Sequence, residues 1–159
     1  MCRKMVGSIA GFVIIAAVSF FTAGEAPADV IPACDLQKGA RLVEWPDGLP
    51  PKVFEDFTRH VERLAAPEEQ FDATDVIMTN KRRRLIRVVN LGSLWVIAYE
   101  HGGRAYHDHI VVYEISGAGN PVRLIANDIA FPKSVCAQTN AWLSGSRMSD
   151  GRPIGDWDW

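Results

Sequence analysis

The chain is poor in the signatures that usually mark an enzyme of its size. It contains no Gly-x-Ser-x-Gly elbow, no Cys-x-x-Cys pair, no internal repeat and no long low-complexity tract. These absences leave no exposed nucleophilic serine, no setting for a reactive thiol and no solenoid architecture. An excess of one charge is lacking too: 17 Lys and Arg stand against 19 Asp and Glu, a formal net charge of −2. A nucleic-acid-binding surface must neutralise several phosphates at once, so nucleic acid is not an expected partner.

Long apolar runs are confined to the start. Met1 to Met5 carries Arg3 and Lys4, Ile9 to Phe21 is uncharged and apolar, and small residues end in Ala26-Pro27-Ala28. A basic start, a greasy run and an A-x-A end are the order of a secretory signal peptide, with cleavage expected near Ala28 and a periplasmic or secreted product. An uncleaved anchor is the competing account, since Val6 to Ala23 holds no charge, but Gly7, Ser8, Gly11, Ser19 and Thr22 weaken that span. No membrane attachment is expected after cleavage. The remaining 131 residues, 29–159, suit a single domain. Losing Arg3, Lys4 and Glu25 from the totals leaves 15 cations and 18 anions, a net charge of −3.

Cysteine is scarce: Cys2 leaves with the leader, and Cys34 and Cys136 remain. An even pair in an oxidising space is normally bonded, here closing a loop of about 100 residues, for which chain entropy predicts roughly 4–5 kcal/mol. A lipoprotein anchored at Cys34 is the alternative, disfavoured by Pro32 beside the cleavage position.

Hydrophobic periodicity then organises the domain. Ala40 to Trp45 reads as a first strand stopped by Pro46-Asp47-Gly48. Val53, Phe54, Phe57, Val61, Leu64 and Ala65 recur at helical spacing, predicting a helix over Lys52–Ala66 opened by Pro50-Pro51. β-branched runs follow at 75–79, 85–91, 94–100, 105–115 and 122–126, joined by connections too short for parallel crossovers. The expectation is an α+β fold, one N-terminal helix on a curved antiparallel meander of about five strands, with an irregular tail over about 133–159. Leu94–Tyr99 and Ile110–Tyr113 are apolar on both alternating faces, so both sides of the central sheet must be covered, one by the helix and the other by curvature and the tail. Strand, helix, then meander resembles the cystatin-like architecture, a resemblance of topology that implies no function.

Few residues carry chemistry. His107 and His109, two apart on one strand, share a face and make a candidate pair of metal ligands. A two-residue turn at Gly102-Gly103 would put Ala98 and Val96 opposite them and send His101 to the other face, whereas a one-residue bulge would bring Tyr99 and Ile97 alongside; either way the third ligand is left to come from elsewhere, such as His60. Hydrogen bonding at an exposed hairpin end is the plainer account of these histidines. His101-Gly102-Gly103 resembles the oxyanion turn of some esterases, but no serine elbow accompanies it. Arg82, Arg83 and Arg84 form the strongest charge run, suited either to steering an acidic partner or to guarding a sheet edge. The tail Asp156-Trp157-Asp158-Trp159 sets Trp157 and Trp159 at a free end, where indoles serve as interface anchors or close the core.

With no nucleophile and base, carboxylate pair or complete ligand set legible, the leading expectation is a non-enzymatic exported binding or inhibitor protein without a cofactor. An immunity protein or an inhibitor of an envelope hydrolase fits that profile. It would dock a protein of the cell envelope through His101, Arg104, the Arg82–Arg84 run or the tryptophan tail. A metal-binding protein or metalloenzyme built on His107 and His109 and a carrier of a small apolar ligand are the alternatives.

Overall fold

The computed structural model describes residues 33–117 and 122–147. The leader and the tryptophan tail, with Trp157 and Trp159, lie outside the described residues. The elements run β1 (Arg41–Val43), α1 (Pro51–His60), β2 (Leu64–Ala65), β3 (Arg83–Leu91), β4 (Leu94–His101), β5 (His107–Ile115), β6 (Val122–Ala130), a 3-10 turn (Pro132–Ser134) and α2 (Val135–Leu143). Strands β3 to β6 form an antiparallel meander, β1 pairs antiparallel with β3 on its outer side, and the two-residue β2 adds to β3 in parallel. The class is α+β on an antiparallel sheet of five to six strands.

Two expectations about helices are corrected. The described residues contain two helices rather than one, and the helix that approaches the β4 and β5 backbones most closely is the C-terminal α2. It lies within a stretch expected to be irregular. The predicted helix over Lys52–Ala66 ends at His60: the backbone leaves helical geometry at Val61, Arg63 takes φ 54°, and Leu64-Ala65 becomes β2. Residues 75–79, expected as a strand, form a loop with Val76 and Ile77 exposed.

Each face of the sheet has its own core, as the two-sided apolar pattern of β4 and β5 requires. On one face Val53, Phe57 and Val61 pack with Leu85, Val88, Ile97, Tyr99, Val111 and Tyr113. The spacing of Val53, Phe57 and Val61 sets one stripe of α1 against the strands. On the other, Val135, Trp142 and Leu143 of α2 pack with Val89, Val96, Ala98, Ile110 and Val112. Trp142 keeps its indole N–H satisfied by donating to Asp128 at 2.9 Å. The Cys34–Cys136 disulfide forms, fastening the segment before β1 to the first turn of α2. Asn140 adds to that link, donating to the Asp35 carbonyl at 2.8 Å and accepting from the Gln37 N–H at 2.9 Å.

Candidate metal centre

The end of the β4–β5 hairpin determines the site. Its loop is five residues long, Gly102 to Tyr106, and the ladder closes with His101 opposite His107, Glu100 opposite Asp108 and Tyr99 opposite His109. The two-residue turn expected from Gly102-Gly103 is therefore corrected. Lengthening the connection by three residues changes which side chains share a face, because side chains alternate along a strand. His101 now stands on the same face as His107 and His109. Glu100 and Asp108 take the opposite one.

All three histidines are buried, His109 almost completely at 1% exposure. One ring nitrogen from each lies within 4.8 Å of the other two. His60, at the exposed end of α1, is not part of this group.

Hydrogen bonds outside the cluster fix the imidazole tautomers. Nδ1 of His107 contacts the Ala105 carbonyl oxygen, which can only accept, so that nitrogen carries the proton. Nδ1 of His109 meets Oδ1 of Asn127 on β6 at 2.9 Å and donates to it. With both rings neutral, their Nε2 atoms carry the lone pairs, and the two atoms face each other at 2.9 Å. Two lone pairs at that distance repel unless an electrophile lies beside them, which is the arrangement of metal-bound histidines with outer acceptors holding their ring N–H groups. A proton is the other electrophile available. Burial, opposed by the Asn127 bond and reinforced by His107, His101 and Arg83, pushes His109 down to about 4 and keeps it neutral.

Packing holds the rings in place. Tyr99 stacks on His109 with centroids 4.7 Å apart and planes 3° from parallel, and Phe57 of α1 meets Tyr99 edge-on at 5.8 Å. The core helix thus bears on the orientation of His109 through one intervening ring.

Behind the imidazoles, on the α2 face, lies a second polar layer. Glu100 accepts from Nε and Nη2 of Arg84 at 2.9–3.2 Å and from the Tyr106 hydroxyl at 2.6 Å. Arg84 also lies over the Phe71 ring, 4.5 Å from its centroid. Asp108, buried beside this assembly, is pushed up to about 7 by burial and then by the charge of Glu100.

The arginine run is split by strand alternation. Arg82 is exposed, Arg83 is half-buried opposite His101, and Arg84 is committed to Glu100. Arg104 sits exposed at the hairpin tip, where it pairs with Asp75 at 3.2 Å. Sequence reasoning missed that His101 joins His107 and His109, and that Asn127 accepts a hydrogen bond from His109. A longer assumed loop was the available signal for His101; nothing local in the sequence marks Asn127, which reaches the site only through the pairing of β6 with β5.

Comparison with protein-family models, curated proteins and solved structures finds no match. The site therefore rests on its own geometry.

Proposed function

We propose that this is an exported metal-binding protein that holds one divalent late transition-metal ion, of the zinc, copper or nickel class, through His101, His107 and His109. The observation that carries this reading is the convergence of two Nε2 lone pairs at 2.9 Å, with the third imidazole beside them. Three imidazoles with no thiolate or carboxylate form a nitrogen donor set suited to those ions rather than to calcium or magnesium, which take oxygen. A tetrahedral ion held by three histidines keeps a fourth position for water or another ligand. Export is part of the proposal and is supported by the basic, apolar and A-x-A order of residues 1–28.

Elemental analysis and calorimetry on protein made without an affinity tag test the reading. The expected result is close to one zinc or copper per chain, with affinity weakened at least ~100-fold in His109→Ala and ~10-fold or more in Asn127→Leu, which removes the acceptor for the ring N–H. Metal content below ~0.2 per chain after zinc loading, unchanged in His109→Ala, would refute it.

A further inference from the structure

On the α2 face of the sheet, behind the imidazoles, a cavity of about 100 Å³ opens between the strands and the start of α2. Asp108 lines it at 1% exposure, and its Oδ1 meets no hydrogen-bond partner among the described residues. A buried carboxyl oxygen without a partner costs free energy, so its position calls for an explanation beyond packing. Glu100 lines the same cavity but is already engaged by Arg84 and the Tyr106 hydroxyl.

The other charged side chains of the cavity wall are cations. Arg87, 9% exposed, and Lys133, exposed, both line it. Val135 and Cys136 bring the first turn of α2 to the same wall, and that turn contains no acidic residue. The positive end of the helix dipole therefore reinforces the two side chains. Groups of both signs thus face one small volume.

We infer that this cavity is a binding site for a small zwitterion, an α-amino acid the size of glycine or alanine, whose ammonium group donates to Asp108 while its carboxylate meets Arg87 and Lys133. An ion of one sign would satisfy one set of groups and be opposed by the other. A solute carrying both charges is paired at each end, and a buried charge is tolerated only when paired. The guanidinium of Arg87 suits a carboxylate because its N–H fork matches two oxygens. Size narrows the class further. A cavity of roughly 150 Å³ takes a benzene-sized molecule, so one of about 100 Å³ suits about five or six non-hydrogen atoms. Drug-sized ligands occupy about 300 Å³ or more, which is beyond this cavity. Ile86 and Val135 supply an apolar wall against which the Cα or a methyl group can lie.

The test is an amide NMR titration of the purified protein with glycine and L-alanine, against acetate and methylamine as ligands of one charge. It is repeated in excess EDTA, because free amino acids also chelate metal ions. Saturable binding of at least one amino acid with Kd below ~1 mM is expected, unchanged in EDTA, with acetate and methylamine at least ~10-fold weaker. The amide shifts should concentrate at Ile86, Val135 and Cys136, which border the cavity. Lys133→Glu, at an exposed position, should weaken binding ~5-fold or more without moving the melting temperature, and Asp108→Asn, which keeps the shape but not the charge, ~10-fold or more. Four results would overturn the inference: no saturable binding of either amino acid at ~10 mM; acetate or methylamine binding as tightly as the zwitterion; binding lost in EDTA, which would place the amino acid on an ion at the imidazoles; or a folded Lys133→Glu variant that binds like the parent. The titration is read without metal as well as with it, so this inference and the metal reading stand or fall separately.

Discussion

At the scale of single residues, Gly102 and Asp72 fix how the hairpin tip meets the neighbouring loop. A Cβ on Gly102 would fall 2.1 Å from the Asp72 carbonyl oxygen and 2.9 Å from the Ala73 Cα, both backbone atoms with nowhere to retreat. Gly102→Ala is expected to cost about 1–3 kcal/mol or more, read as a lower urea midpoint, because one of two backbone segments must shift. An unchanged midpoint would show that the two loops are not packed as described. Asp72 acts from within its loop. Burial pushes its carboxyl upward, but the N–H groups of Thr79, Met78 and Asn80 and the Thr79 hydroxyl hold it below the ordinary aspartate value. A lowered folded-state pKa contributes stability above the unfolded value and loses it as pH falls through the folded one. Asp72→Ala should therefore lower stability at neutral pH, seen as a lower urea midpoint. That gap should shrink as pH falls below the ordinary aspartate range, and denaturation at a neutral and an acid pH measures it.

At the scale of elements, alternation and length account for what the sequence revealed. The cores of β3, β4 and β5 were legible because Leu85–Leu91, Leu94–Tyr99 and Ile110–Tyr113 are short apolar runs rich in β-branched and aromatic residues. Cys34 and Cys136 were legible as a pair once Cys2 was assigned to the leader. The 75–79 segment misled, since Val76-Ile77-Met78 reads as a strand, whereas Asp72 captures the Met78 and Thr79 N–H groups that a ladder would need. Helix α2 was missed for a different reason. Its sequence, Val135-Cys-Ala-Gln-Thr-Asn-Ala-Trp-Leu143, has little amphipathic contrast, and Thr139 is fully buried beside Val135, Trp142 and Leu143. Only the tertiary need to cover the second face of the sheet selects a helix there. The third imidazole was hidden by three residues of loop. His107 and His109 are paired by the strand period, whereas His101 joins them only through a register set by the length of the Gly102–Tyr106 connection.

At the scale of the whole molecule, one covalent bond joins parts of the chain 102 positions apart, and the sheet lies between them in sequence. Removing it through Cys34→Ser with Cys136→Ser is expected to lower stability by about 2–5 kcal/mol, seen as a shift in the urea midpoint. A midpoint equal to the parent's would mean that the Asn140 contacts and the α2 core hold this end without it. The position of the bond relative to the metal centre has a consequence for how the protein matures. Cys136 borders a cavity of about 100 Å³ with Glu100 and Asp108, on the face opposite the imidazoles. The donor set contains no sulfur, and a layer of β-strand stands between it and the crosslink. If the proposed site takes up an ion, closing the crosslink and capturing that ion draw on different side chains on opposite faces of the sheet, so forming the disulfide consumes none of the three imidazoles.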